Sequence, residues 1–198
     1  MKVIYIRDSR SKGYLRIGLS DGDGKAEYTV SESEYRELGS LLVGDDVSDV
    51  ESLKRCDMKY RASLYALRIL SYGDNNVASL KRKLISRSIS PDIAVEICEQ
   101  MVGLGYINER AQLEKLIENE ANQKLCGRRK IFQKLLAKGY KKKEIEQVLD
   151  DLISHGIVDF GQTSKRLIKK KFPCGASEEE IHALLYKNGY STDFSGDF

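Results

Sequence analysis

The chain has 198 residues, of which 41% are apolar and 32% are charged. This length can bury a hydrophobic core, but the charge content is too high for an ordinary hydrophobic enzyme domain. The sequence has no run of about 18 apolar residues that could cross a membrane, and its first residues lack the features of a signal peptide. The four cysteines and two histidines are scattered. They indicate neither a disulfide framework nor a zinc cluster, so we expect a cytoplasmic protein.

The first 30 residues alternate between apolar and polar positions, which predicts three short strands. Ser31 and Glu34 then have the spacing of a capping box, and this predicts a helix over residues 32–43 that Gly44 ends. We expect residues 1–45 to form a small β-rich N-terminal module. Residues 46–60 are predicted to hold a linker and the start of the first long helix.

Beyond about residue 50 the apolar residues follow helical periodicity, and the pattern repeats. Lys83-Leu84 recurs 51 residues later as Lys134-Leu135. A third, shorter copy repeats the second with an offset of 50, since Ile181 and Leu185 match Ile131 and Leu135. Such self-similarity indicates stacked structural repeats. We therefore expect a mainly α fold, in which tandem three-helix repeats form an elongated, curved helical array.

Three repeats are predicted, over residues 61–108, 109–159 and 160–198. The predicted helices are 55–72, 77–87 and 91–104, then 109–125, 128–138 and 142–155, then 161–172, 178–188 and a short remnant from 191.

Positive charge is concentrated in one part of the chain. Residues 124–171 carry 14 Lys and Arg against 5 Asp and Glu, a net charge of +9. Lys130, Lys134 and Lys138 recur at i, i+4 and i+8, on one face of the second repeat's middle helix. This concentration of positive charge is suited to binding a polyanion such as a nucleic acid. It is equally suited to binding an acidic groove of another protein. The third interpretation is a helix face that is simply solvated. The candidate binding residues are Lys83, Arg87, Arg128, Arg129, Lys130, Lys134, Lys138, Lys141, Lys142, Lys143, Lys169, Lys170 and Lys171.

The sequence lacks the patterns of common catalytic sites. It has no glycine-rich phosphate loop, no G-x-S-x-G motif and no evident cluster of acidic metal ligands. Phe132 and Tyr140 occupy apolar repeat positions, so base stacking is not indicated. We interpret the chain as a binding protein, not an enzyme, without a cofactor or a catalytic metal.

The repeats resemble the RecX family of recombinase regulators over about residues 60–190. In the second repeat, Gly127-Arg128-Arg129-Lys130-Ile131 is similar to the family's Gly-basic-x-basic-Ile pattern. The run Leu135-Leu136-Ala137-Lys138-Gly139-Tyr140 is similar to its Leu-x-x-Lys-Gly-aromatic pattern. The resemblance extends to the first and third repeats at Ala62–Leu67, Leu80–Leu84, Leu104–Asn108 and Leu185–Tyr190.

This resemblance implies a cytoplasmic regulator that binds the RecA filament on single-stranded DNA. It further implies negative modulation of RecA's ATPase, strand exchange and SOS co-protease activities in DNA repair. RecA is then the expected partner, with single-stranded DNA as a second candidate and no membrane, and the protein is expected to be a monomer. The competing interpretation is a general basic DNA-binding or architectural helical-repeat protein that acts without RecA and binds bare DNA with steep salt dependence.

Overall fold

The computed structural model describes residues 1–22 and 24–191. It confirms a mainly helical fold of tandem repeats with a small N-terminal sheet. In chain order the elements are β1 (Lys2–Asp8), β2 (Tyr14–Ser20), β3 (Lys25–Ser31), α1 (Glu32–Glu37), α2 (Val50–Ser71), α3 (Val77–Ile85), α4 (Pro91–Gly103), α5 (Glu109–Glu118), α6 (Arg128–Ala137), α7 (Lys142–Ser154), α8 (Phe160–Lys171) and α9 (Glu178–Lys187). None of the helices in the described residues is both long and apolar enough to cross a membrane.

The chain divides into two compact units. One consists of Met1–Gly73 with Leu80–Leu104, and the other consists of Asp74–Ser79 with the chain from Gly105 onward. α3 therefore contributes residues to both units. Each unit is described below by itself.

The first unit contains an antiparallel sheet in the order β1-β2-β3, which packs against α2. Val3, Ile17, Leu19, Val30 and Leu53 are buried in their shared core. Burial on one face explains why the strands alternate between apolar and polar residues. The sequence prediction of three strands is confirmed.

The end of α1 and the start of α2 show the largest differences from the predicted helix boundaries in this unit. The capping box of Ser31 and Glu34 starts α1 as expected. The helix nevertheless ends at Glu37 and does not reach residue 43, because the chain turns into the left-handed region at Gly39, with φ +86°. α2 begins at Val50, before the predicted residue 55, because the Asp49 side chain accepts a hydrogen bond from Ser52 N at 3.1 Å and caps the helix.

The second unit contains the second and third repeats. α5 continues through a π-helical turn, Asn119–Gln123, and packs with α6 and α7 around Ile117, Ile131 and Leu149. In the third repeat, α8 and α9 pack around Leu167, Leu185 and Tyr190. The helix remnant predicted from residue 191 falls almost entirely on 192–198, outside the described residues.

Candidate functional site

The start of α6 is held against the end of the third repeat by two glycines. Gly127 N donates a hydrogen bond to Asn188 O at 2.8 Å, and Arg129 N donates to Gly189 O at 3.0 Å. A Cβ atom at position 127 would lie 2.4 Å from the carbonyl carbon of Gly189. Only glycine therefore permits this backbone contact, which places the first turn of α6 beside the end of α9.

Lys130 and Lys134 of α6, and Lys138 directly after it, have different surroundings. Lys130 Nζ donates to Asn188 Oδ1 at 3.1 Å, and Lys134 Nζ pairs with the carboxylate of Glu120. Lys138 is exposed. The regular spacing of these residues consequently does not produce a uniform row of solvated charges.

Glu120 neutralises much of the charge of Lys134. The carboxylate is only 7% exposed, within the π-helical turn, and it accepts hydrogen bonds from Lys124 and Lys134. Burial raises the pKa of Glu120, but the hydrogen bonds from the two lysines outweigh burial and lower this pKa to about 2. The hydrogen bond between Lys134 and Glu120 also raises the pKa of Lys134. Sequence analysis missed Glu120, because nothing in its spacing indicates that it is buried.

The two arginines of the first turn are oriented by specific contacts. Arg128 Nη2 donates to Asp150 Oδ1 at 2.7 Å. Arg129 Nη2 donates to Tyr186 O at 2.7 Å, and its guanidinium carbon lies 4.1 Å from the centroid of the Tyr186 ring. This stacked position is a cation–π contact, so the charge of Arg129 is fixed against an aromatic surface.

A cleft of about 510 Å³ opens beside these arginines. Arg128, Arg129 and Lys142 supply positive charge to its lining, and Glu146 supplies the opposite charge. Lys142 Nζ is 3.8 Å from Glu146 Oε1, beyond normal hydrogen-bond distance. Three predicted site residues are thereby brought together around one cavity.

Three aromatic residues also line the cleft: Phe132, Tyr186 and the buried Tyr190. Phe132 is only partly buried and borders the cavity, and Tyr186 is 55% exposed at the same place. Tyr140 is 7% exposed and Phe132 packs against the core of the second unit, as their apolar repeat positions predict, although Phe132 also borders the cavity. Tyr186 occupies the repeat position of Leu136, which is also exposed, at 41%, but the sequence itself carries no signal that places this ring beside Arg129.

The remaining candidate residues lie outside this cleft. Lys141 Nζ pairs with Glu144 at 3.1 Å, and Lys143 is exposed in the first turn of α7. The triplet 169–171 is exposed in the last turn of α8, where positive charge complements the helix dipole. Lys83 and Arg87 belong to the first unit, and Arg87 Nε donates to Tyr65 Oη at 3.1 Å. Among the described side chains, no three His, Cys, Asp or Glu residues are grouped as metal ligands.

Comparison with curated proteins finds relatives that share one name. Eight proteins called Regulatory protein RecX match the chain. The Lactobacillus gasseri protein is 27% identical over 158 residues, which cover 79% of this chain and 57% of the relative. The Listeria innocua protein is 24% identical over an alignment that covers 86% of this chain and 65% of the relative. The chain thus spans between half and two thirds of the length of these curated relatives, and no protein-family model matches it.

Solved structures show the same fold. A crystal structure of regulatory protein RecX superposes with a TM-score of 0.75 at 21% identity and covers 97% of this chain and 95% of that chain. RecX from Lactobacillus salivarius superposes with a TM-score of 0.59 at 23% identity, with coverages of 69% and 91%.

Proposed function

The shared name of these relatives assigns the chain to the RecX family, and on that premise we propose that it regulates RecA by binding the RecA filament on single-stranded DNA. Binding reduces the ATPase, strand-exchange and SOS co-protease activities of RecA. The protein acts by binding alone, as a cytoplasmic monomer, and is not an enzyme.

The observation that supports this proposal is the exposed positive charge of the second unit. Lys138, Lys143 and Lys170 are exposed on three successive helices or their ends, within the segment of net charge +9. Contacts between lysines and phosphates release counterions and do not depend on base sequence. A regulator of a filament that assembles on any single strand requires this kind of affinity.

The test uses charge reversal at exposed lysines. Lys134→Glu is unsuitable, because it would bring a second carboxylate to the buried Glu120. The chosen variant combines Lys138→Glu, Lys143→Glu and Lys170→Glu, three positions whose side chains are exposed. The matched control combines Lys12→Glu, Lys25→Glu and Lys115→Glu, which are also exposed and change the net charge equally.

The assay is the single-stranded-DNA-dependent ATPase of the cognate RecA, with the regulator titrated from far below equimolar. We expect the wild type and the control variant to inhibit the ATPase activity of RecA. The reversal variant should lose at least about tenfold in inhibitory potency, which is equivalent to about 1.4 kcal/mol of binding free energy. Equal inhibition by a folded reversal variant would contradict the role of this surface. Absence of inhibition by the wild type, with tight and salt-sensitive binding to bare DNA, would favour the architectural DNA-binding function.

A further inference from the structure

The cleft beside α6 combines positive charge with an accessible aromatic ring. Arg128 is paired with Asp150, which leaves Arg129 and Lys142 against the single carboxylate of Glu146 in the lining, so the cavity favours an anion. Tyr186 borders the cavity and is 55% exposed, so its ring is accessible to a ligand. The cavity volume of about 510 Å³ is within the range of small-molecule sites.

The groups that would contact an anion are already positioned. Arg129 is fixed by its hydrogen bond to Tyr186 O and by its contact with the Tyr186 ring, and it retains further N–H donors. Lys142 is 3.8 Å from Glu146, so a phosphate can compete with that carboxylate for its ammonium group. A phosphate bound here therefore needs little rearrangement of the arginine.

The ring distinguishes between two classes of anionic partner. The guanidinium of Arg129 covers one face of the Tyr186 ring, and the residue nevertheless remains 55% exposed. A nucleobase can stack on the uncovered surface while its phosphate reaches the cations, and stacking of this kind tolerates any base. The carboxylates of an acidic peptide would use the cations but leave the ring exposed.

We propose that this cleft is a subsite for one nucleotide of single-stranded nucleic acid, with the base stacked on Tyr186 and the phosphate bound by Arg129 and Lys142. The subsite deepens the proposed function, because it rests on single-stranded DNA being a ligand of this surface. Phe132 forms the apolar wall beside the base. The cations come from the second repeat and the ring comes from the third.

The experiment measures fluorescence anisotropy of a labelled thymidine oligonucleotide and of an abasic oligonucleotide of equal length. It is made with the full chain, without RecA and at one salt concentration. The main variant is Tyr186→Leu, because leucine occupies the same repeat position at Leu136 and preserves bulk without a planar ring. Tyr186→Phe retains the ring, and Tyr106→Leu is a matched control at another tyrosine that is 55% exposed.

We expect Tyr186→Leu to weaken binding of the thymidine oligonucleotide about tenfold and to leave binding of the abasic oligonucleotide unchanged. Tyr186→Phe and Tyr106→Leu should bind both probes like the wild type. Lys142→Ala should weaken both probes alike and lower the salt dependence by about one counterion. Circular dichroism establishes that each variant is folded.

Three results would overturn the subsite. These are unchanged thymidine binding by Tyr186→Leu, an equal loss for both probes, and displacement of the oligonucleotide by polyglutamate as readily as by unlabelled DNA. The RecA ATPase assay with the same variants separates this outcome from failure of the proposed function. Inhibition that survives in Tyr186→Leu together with unchanged oligonucleotide binding refutes the subsite and leaves the RecA regulator in place.

Discussion

Replacement of Glu120 by glutamine tests how the structure holds Lys134. The variant preserves the shape of the side chain but replaces the charged carboxylate, which accepts hydrogen bonds from Lys124 and Lys134, by a neutral amide. Because the carboxylate is 7% exposed, water cannot fully replace the lost partners. We expect the variant to be less stable than the wild type at neutral pH.

The magnitude follows from the pKa of Glu120. The folded protein lowers this pKa from 4.5 to about 2, which corresponds to about 3 kcal/mol of stability at neutral pH. Below the unfolded value of 4.5, the unfolded chain binds a proton that the folded chain still excludes. The contribution is therefore complete above that pH and is lost as the pH falls towards about 2.

Urea unfolding at a series of pH values measures this effect. At pH 7, Glu120→Gln should reduce the free energy of unfolding by about 2–3 kcal/mol, and the difference from the wild type should shrink as the solution is acidified towards pH 3. Glu118→Gln, at the exposed residue one place before the π-helical turn, is the control and should change stability little. A difference that stays constant across the pH series, or an equal loss in the control, would refute the reasoning.

Two substitutions test the packing of the third repeat on the second. Gly127→Ala should lower the free energy of unfolding in urea by about 1–3 kcal/mol, because the added Cβ would collide with Gly189. Gly103→Ala is the control and should be neutral or slightly stabilising, because the space around Gly103 is open. Unchanged stability of Gly127→Ala would contradict the close contact. Tyr190→Phe should lower the free energy of unfolding by about 1 kcal/mol in the same measurement, because the buried hydroxyl of Tyr190 donates a hydrogen bond to Leu125 O at 3.1 Å. Equal stability of the variant and the wild type would mean that this hydrogen bond contributes nothing to stability.

The fold could be predicted well from the sequence because helical periodicity and caps are local signals. Asn108 and Asp159 stand 51 residues apart at equivalent repeat positions, and each caps its helix with a side-chain hydrogen bond. The extent of α1 was not predictable in the same way. Both Gly39 and Gly44 could end a helix, and the choice depends on how the chain returns to the sheet, where Val3 N donates to Asp45 O at 3.0 Å.

The candidate site was predicted less completely, because it depends on contacts between residues far apart in the chain. The spacing of Lys130, Lys134 and Lys138 places them on one face of a helix but carries no information about Glu120, which lies 14 residues before Lys134. Pairing with that buried carboxylate removes Lys134 from the solvated surface. A periodic row of lysines in sequence therefore overstates the charge that is available to a partner.

The second and third repeats also differ in the residues that their middle helices, α6 and α9, contribute to the cleft. The third repeat has Glu180, Leu184 and Asn188 where the second has Lys130, Lys134 and Lys138, so its middle helix, α9, does not continue that row of lysines. In the structure it supplies Tyr186, while the backbone contact between Gly127 and Gly189 holds that ring beside Arg129. Cations from one repeat and an aromatic ring from the next form a single surface. The absence of this row of lysines from α9 is thus compatible with a direct part of the third repeat in binding, which the ring-selective effect of Tyr186→Leu would reveal.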